Sequence, residues 1–166
     1  GEYRLNCRGA TSLMLTTLLR PAYSKAIYGN VLGKNDSRRE IRPPLGLMAL
    51  SGYLLQNGKT CQILDGEPDL WGIDETCSRV LATDPDLVGI TSTTPEWPYT
   101  LAIVRRLKES RPHLRIVLGG AHVTNLPRQT LTEAGDLVDW AVLYEGEKPL
   151  LAVLEGQADS MIWPGG

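Results

Sequence analysis

Short apolar runs and amphipathic stretches alternate along the chain, with Gly, Pro and Asp at most of the junctions. The apolar runs, which are rich in β-branched and aliphatic residues, predict strands near residues 12–19, 60–65, 87–92, 115–119 and 139–143. The stretches with apolar residues three or four positions apart predict helices near residues 44–57, 73–83, 98–109, 127–134 and 147–154. Strands that alternate with such helices indicate repeated βα units and a parallel sheet.

Start and stop signals define two of these helices well. The predicted helix 98–109 has Pro98 in its first turn, and Leu101, Val104 and Leu107 recur at helical spacing. The predicted helix 44–57 follows a pair of prolines and ends at Asn57-Gly58, where glycine can adopt the left-handed cap conformation. Both helices are therefore expected to be independent units between strands.

At 166 residues the chain has the length of a single domain. The element order predicts an α/β fold with a doubly wound, five-stranded parallel sheet of the flavodoxin or Rossmann type. Right-handed crossovers in such sheets commonly give the strand order 2-1-3-4-5, which is an expectation from the fold class. Ligands of these sheets bind beyond the carboxyl ends of the strands, where the strand order reverses. The loops that follow the strands are therefore the candidate site.

The loops that follow the strands are either long or rich in small and polar residues. Residues 20–43 form a connection of a length that is usually functional or disordered, and it contains Tyr23 and Tyr28. The third, fourth and fifth strands are followed by Thr91-Ser92-Thr93-Thr94, Gly119-Gly120-Ala121-His122 and Tyr144-Glu145-Gly146-Glu147. Each segment could be only a turn or a helix cap. Their position at one edge of the predicted sheet favours a ligand site.

Charge and composition argue against several classes of protein. The formal net charge is −2 and the basic residues are scattered, so a nucleic-acid partner is not expected. Apolar runs are too short for a bilayer span, and the start of the sequence does not resemble a signal peptide. The three cysteines, Cys7, Cys61 and Cys77, are widely spaced, which favours reduced thiols in the cytoplasm over a metal or iron–sulfur site.

The two histidines and the carboxylates at strand ends are the remaining candidates for chemistry. His113 precedes the fourth strand and is assigned no role, whereas His122 could cap a turn, bind a ligand oxygen or, less readily, approach a metal. Asp65, Glu145 and Glu147 could bind hydroxyl groups or cap helices. The spacing supports no catalytic constellation, no Walker loop and no G-x-G-x-x-G loop after the first strand.

Five segments together resemble the cobalamin-binding domain that precedes the catalytic barrel in cobalamin-dependent radical S-adenosylmethionine enzymes. They extend over residues 12–156, and their order and spacing are more specific than any one of them. The segments are Pro43-Pro44-Leu45-Gly46-Leu47, Ile63-Leu64-Asp65, Asp86-Leu87-Val88-Gly89-Ile90-Thr91-Ser92, Val117-Leu118-Gly119-Gly120-Ala121-His122 and Glu145-Gly146-Glu147.

The resemblance implies a Rossmann-like domain that holds a corrin ring against a neighbouring domain and inserts the nucleotide tail beside its sheet. Residues 91–94 and 119–122 match the positions that line the tail, and residues 20–43 match the segment under the corrin. Small residues suit such a site because a buried phosphate and sugar need hydrogen-bond donors and close backbone approach. The implied cofactor-binding residues are Tyr28, Leu45, Thr91, Ser92, Thr93, Thr94, Gly119, Gly120, Ala121, His122, Tyr144, Glu145 and Gly146.

Mutases and methionine synthases carry Asp-x-His-x-x-Gly after the first strand, and the histidine ligates cobalt. Here that region reads Arg20-Pro21-Ala22-Tyr23-Ser24-Lys25, without histidine. The resemblance therefore implies base-off cobalamin with no histidine ligand from this loop, although a domain that has lost the cofactor would look the same. The cysteine motif for an iron–sulfur cluster is also missing, so the cluster and S-adenosylmethionine are expected only in a partner.

The expected organisation is an N-terminal extension at 1–11, a cobalamin-binding-like domain at 12–156 and a linker at 157–166. The domain would be non-catalytic alone and would present its cofactor to a fused or separate radical S-adenosylmethionine domain, for methyl transfer or related chemistry. Its uncovered ligand face could also form a dimer.

Two alternatives stay open. One is a degenerate scaffold domain, in which side chains would fill the groove near Thr91 and Gly119. The other is a flavin or nucleotide receptor, whose bound ligand would have an absorption spectrum different from that of a corrinoid. A response-regulator acid pocket is disfavoured because the first strand ends in Leu18-Leu19-Arg20.

Overall fold

The computed structural model describes residues 14–158 and 162–164. Strands and helices alternate through most of this part of the chain. The strands are β1 (Thr16–Arg20), β2 (Cys61–Asp65), β3 (Leu87–Thr91), β4 (Arg115–Gly119), β5 (Trp140–Leu143) and β6 (Ile162–Pro164). The helices are α1 (Tyr23–Tyr28), α2 (Leu45–Gln56), α3 (Ile73–Ala82), α4 (Trp97–Ser110), α5 (Ala121–Asn125), α6 (Pro127–Ala134) and α7 (Glu147–Leu154), with a 3-10 turn at Gly135–Leu137.

The strands form one parallel sheet in the order β2-β1-β3-β4-β5-β6. In this register Leu18 of β1 lies between Ile63 of β2 and Gly89 of β3. The predicted order 2-1-3-4-5 is confirmed. The chain runs outward in both directions from the neighbours β1 and β3, so the switch point lies between their carboxyl ends.

The five predicted strands and five predicted helices are all present, with ends shifted by a few residues. Helices α1 and α5 were not predicted because each has six residues or fewer and occupies a loop. Strand β6 pairs with β5 and lies inside the segment predicted to be a linker. The predicted extension at residues 1–11 lies outside the described residues.

The two faces of the sheet carry separate apolar clusters. Leu18 points to the face covered by α2 and α7, and Leu19 points to the face covered by α3, α4 and α6. This alternation follows from the twofold side-chain period of a strand. The first cluster unites the sheet with Leu47 and Leu54 of α2 and with Leu150 of α7.

The predicted glycine cap ends α2. Gly58 has φ +74°, its N–H donates to Leu55 O at 3.1 Å, and Lys59 N–H donates to Leu54 O at 2.8 Å. This pair of bonds is a Schellman motif, which satisfies carbonyls at the end of the helix. It returns the chain directly into β2.

Candidate ligand-binding site

A cavity of about 580 Å³ opens at the carboxyl edge of the sheet, between α2, α7 and the face that they cover. Its floor is made by Leu18, Gly89, Val117 and Val142, which lie on four adjacent strands. Its walls include Leu47 and Leu50 of α2 and Leu150 of α7. The position at the switch point and the apolar lining are typical of small-molecule sites in parallel α/β sheets.

Gly89 allows the Leu18 side chain to lie close to its backbone in the middle of the floor. A Cβ atom at this position would lie 2.8 Å from Leu18 Cδ2 and 3.4 Å from Val117 Cγ1. Because glycine inside a strand often marks close approach of another group, Gly89 is a sequence signal for this floor, and it lies within a strand and outside the predicted loops.

Two loops at the rim are joined by backbone hydrogen bonds. Ser92 N–H donates to Gly119 O at 3.1 Å, and His122 N–H donates to Ser92 O at 3.0 Å. Gly120 has φ +97°, and a Cβ there would lie 2.7 Å from Ser92 O. The close approach that the glycine pair predicted at Gly120 is therefore made by the protein's own β3 loop.

The β3 loop turns into α4 through Thr93 and Glu96. Thr93 N–H donates to Glu96 Oε1 at 2.8 Å, across the turn that leads into α4. Glu96 is 4% exposed and lines the cavity, and burial raises the pKa of its carboxyl group. The spacing Thr93-x-x-Glu96 is the sequence signal by which this residue could have been found.

Tyr144 carries an unusual backbone conformation at the same rim. Its φ of +60° is in the left-handed region, where residues other than glycine are uncommon. Its N–H donates to Thr124 Oγ1 at 2.8 Å, and its side chain is 68% exposed. An aromatic ring is thus held in solvent beside the cavity by a strained turn.

His122 is buried away from the cavity. Its ring stacks on Trp97 with centroids 4.4 Å apart, and Nδ1 lies 3.3 Å from Thr94 Oγ1. It is 1% exposed, and burial lowers its pKa, an effect that Glu133 partly opposes. The structure therefore gives His122 a packing role in the α4 face of the core.

The predicted site residues thus divide into two groups. Those that line the cavity are Leu45, Thr91, Thr93, Gly119, Gly120, Tyr144, Glu145 and Gly146. Those that do not line it are Tyr28, Ser92, Thr94, Ala121 and His122. Of the second group, Ser92 is buried and bonded to Thr100 at 2.8 Å, and Ala121 is exposed. Loop position alone could not predict which way each side chain points.

Tyr28 lines a second cavity of about 480 Å³, which adjoins the first through Arg20 and Tyr23. Its lining residues all belong to the segment 20–43, apart from Glu67. Arg20 pairs with Asp65 at 2.6 Å and donates to Arg42 O at 2.8 Å. The loop that was expected to be functional or disordered is therefore fixed at its ends.

The remaining predictions concern His113, the cysteines, metal ligands and membrane-spanning helices. His113 is exposed before β4. Cys61 is half-buried, and Cys77 is buried with a pKa raised to about 11 by desolvation, whereas Cys7 lies outside the described residues. Within residues 14–158 and 162–164, no three His, Cys, Asp or Glu side chains form a group that could hold a metal ion. None of the helices in this part of the chain has the length and apolarity needed to cross a membrane.

The fold and cavity define a parallel α/β domain with a small-molecule site at the switch point of its sheet. The chain belongs to the B12 binding domain family, whose model matches residues 35–154. The resemblance found from the five sequence segments is confirmed.

Individual relatives are consistent with this family. The chain is 34% identical over 126 residues to an anaerobic magnesium-protoporphyrin IX monomethyl ester cyclase of Synechocystis sp., covering 73% of the chain and 25% of the cyclase. It is 31% identical over 105 residues to an uncharacterized methyltransferase of Pyrococcus horikoshii, covering 63% of the chain and 22% of that protein.

A solved structure supports the fold. The cobalamin-dependent S-adenosylmethionine radical enzyme OxsB, with aqua-cobalamin and S-adenosylmethionine bound, matches with a TM-score of 0.70 at 16% identity. The match covers 90% of this chain and 20% of OxsB. The chain therefore spans about a fifth to a quarter of the length of these relatives.

Proposed function

We propose that this domain binds cobalamin in the base-off form and presents it to a radical S-adenosylmethionine catalytic domain. The observation that carries the proposal is the open cavity between α2, α7 and the sheet, in a chain of the B12 binding domain family. The domain itself would bind and orient the cofactor and would not catalyse the reaction.

The cavity suits the nucleotide tail of the cofactor. Its volume of about 580 Å³ is within the range of small-molecule sites, and its floor of Leu18, Gly89 and Val117 is apolar. The carbon faces of a flat aromatic base can therefore be buried against this floor, since they need no hydrogen-bond partner. At the rim, Thr91 and Thr93 could donate hydrogen bonds to sugar and phosphate oxygens.

The histidines support the absence of a protein ligand below cobalt. His113 is exposed before β4, and His122 is buried against Trp97 rather than in the cavity. The segment 20–43, which would lie under the corrin, has no histidine. When bound, the cobalt centre supplies methyl-transfer or related radical chemistry, while the residues of this chain hold the corrinoid and leave its other face accessible.

A partner domain is part of the proposal because of both the surface and the relatives. Leu45 is 69% exposed and Tyr144 is 68% exposed, and both lie at the cavity mouth. Apolar side chains grouped beside a ligand site favour a covering partner or, in its absence, a dimer. The relatives extend far beyond this domain, and their names include a methyltransferase and a cyclase. A cytoplasmic location is proposed from the reduced thiols.

The competing interpretation as a degenerate scaffold expects side chains to fill the groove near Thr91 and Gly119. Both residues instead line the open cavity. A flavin or nucleotide receptor would use the same edge of the sheet, and the spectrum of the bound ligand separates it from a corrinoid protein.

The test is a titration of the folded protein with hydroxocobalamin and with methylcobalamin, followed by calorimetry and visible absorbance. We expect saturable binding of both forms with a base-off spectrum. A folded chain without corrinoid affinity would contradict cobalamin binding by this domain, and flavin binding at the same site would replace it. A base-on spectrum would contradict the proposed insertion of the tail into the cavity.

A further inference from the structure

Glu96 has a carboxyl oxygen that the protein does not use. The residue is 4% exposed, and Oε1 accepts the hydrogen bond from Thr93 N–H at 2.8 Å. In the described part of the chain, Oε2 is buried and has no hydrogen-bond partner. Glu96 also lines the cavity, so this residue forms part of the wall that a ligand would contact.

An unpaired buried carboxyl group is costly, so it requires an explanation. The hydrogen bond within the turn explains Oε1 only, since one oxygen satisfies Thr93 N–H. A residue kept only for that bond would place its second oxygen in solvent. Here the second oxygen is removed from water, in a residue that lines a ligand-sized cavity.

Burial favours the neutral acid at Glu96. It is the largest effect on the pKa of this carboxyl group and raises it, the hydrogen bonds from Thr93 lower it, and the nearby Glu67 raises it. Arg20 lowers the pKa, but its guanidinium is already bonded to both carboxylate oxygens of Asp65. The other titratable groups that line the cavity are Tyr23, Tyr144, Glu145 and Glu147. None of these supplies a cation to an ionised Glu96.

We propose that Glu96 binds the corrinoid as a neutral carboxylic acid, with its Oε2–H donating a hydrogen bond to an oxygen atom of the ligand. The inference rests on the proposed function and adds a binding residue that the loop pattern did not identify. The oxygen could belong to a carboxamide side chain of the corrin or to the phosphodiester of the tail. Both are hydrogen-bond acceptors.

Two substitutions separate a ligand-binding role from a structural one. In Glu96→Gln the side-chain oxygen can still accept from Thr93 N–H, and the amide N–H group replaces the acid as donor. In Glu96→Leu both interactions are lost. Glu109→Gln is the matched control, because Glu109 is exposed near the other end of α4 and does not line the cavity.

The experiment measures methylcobalamin affinity of these variants between about pH 5 and about pH 8. Wild-type affinity is expected to fall as pH rises, because ionisation of Glu96 removes the donated proton. Glu96→Gln should bind like the wild type at low pH and lack that fall. Glu96→Leu should bind about tenfold more weakly than wild type at low pH, the loss expected for one buried hydrogen bond.

Three results would overturn the inference. Equal loss of affinity in Glu96→Gln and Glu96→Leu would mean that the carboxyl group accepts rather than donates. Unchanged affinity in both variants would mean that Glu96 only accepts the Thr93 N–H bond and does not bind the ligand. Failure of the wild type to bind overturns the proposed function as well, and is therefore distinguishable from the first two.

Two further measurements make the assignment specific. Carbon NMR of the Glu96 carboxyl group should show the neutral acid at neutral pH in the bound protein, and an ionised signal would contradict it. Cobinamide, which lacks the nucleotide tail, locates the acceptor. A pH dependence that disappears with cobinamide assigns the phosphodiester, and one that persists assigns a corrin carboxamide.

Discussion

At the scale of single residues, two adjacent glycines have different physical reasons to be glycine. Gly120 adopts φ +97° and ψ −176°, a region that side chains avoid, and a Cβ there would meet Thr91 Oγ1 and Ser92 O at 2.7 Å. Around Gly119 the nearest atom to a Cβ would be Val142 O at 3.9 Å. Gly120 is therefore required by backbone packing, while Gly119 borders open space.

We expect Gly120→Ala to lower the free energy of unfolding by about 3 kcal/mol, from backbone strain together with the contact to β3. Gly119→Ala, the matched control, should change it by less than about 1 kcal/mol. Urea denaturation of both variants measures the difference. A similar change in the free energy of unfolding for the two variants would show that the positive φ of Gly120 does not require glycine.

Some residues of the candidate site could be predicted from their type and position in the sequence, and others could not. The glycines, threonines and Tyr144 at the rim were predicted because small or polar residues after strands are conspicuous in a sequence. Leu18 and Val117 could not be predicted, since a core leucine or valine looks the same whether it contacts a helix or an open cavity. His122 was placed in the right loop, but its direction depends on stacking with Trp97.

At the scale of elements, β3 has two unlike faces. Val88 and Ile90 are buried against the helices on one side, and Gly89 lies on the cavity floor on the other. The strand thus packs tightly on one face while leaving space on the opposite face. Having no side chain, Gly89 leaves the cavity open above the Leu18 and Val117 side chains.

Gly89→Val should fill that space and weaken cobalamin binding by at least about tenfold, since a valine side chain would occupy the floor. The fold should survive, because the clashing atom is the end of the Leu18 side chain, which can shift. Calorimetry with Gly52→Val as control provides the measurement, because Gly52 is exposed and has no atom within 4 Å of its Cβ position. Undiminished binding in Gly89→Val would show that the ligand does not enter this part of the cavity.

Long periodic elements were predictable because their patterns repeat over several turns. Helix α4, with fourteen residues, has the apolar spacing and the proline start that the sequence indicates. Helices α1 and α5 have six and five residues, too few for a period to be recognised. Strand β6 has three residues, and its pairing with β5 is decided by tertiary structure.

At the scale of the whole molecule, the two layers of helices differ in how closely they cover the sheet. Helices α3, α4 and α6 cover one face closely, whereas α2 and α7 border a cavity on the other. A ligand in that cavity would contact the sheet and both helices at once, and so would bind only the folded state. Ligand binding and global stability should be coupled.

With methylcobalamin at about one hundred times its dissociation constant, the stabilisation should be about 2.7 kcal/mol. For a chain of this size, that corresponds to a rise in Tm of about 5 to 10 °C. Differential scanning calorimetry at several ligand concentrations checks both the size and the logarithmic dependence. A Tm that is independent of cobalamin would contradict specific binding to the folded state.

The long loop after β1 is held at both ends by acidic residues at the end of β2 and just after it. Asp65 and Arg42 both bond to Arg20, while Glu67 accepts from Ser24 N–H at 2.9 Å and is contacted by Arg39. The intervening stretch can therefore change length without altering the sheet, and each doubling would add only about 0.6 kcal/mol of closure entropy. This loop is a natural insertion point, at which new cofactor-contacting or partner-specific sequences could be grafted or could evolve.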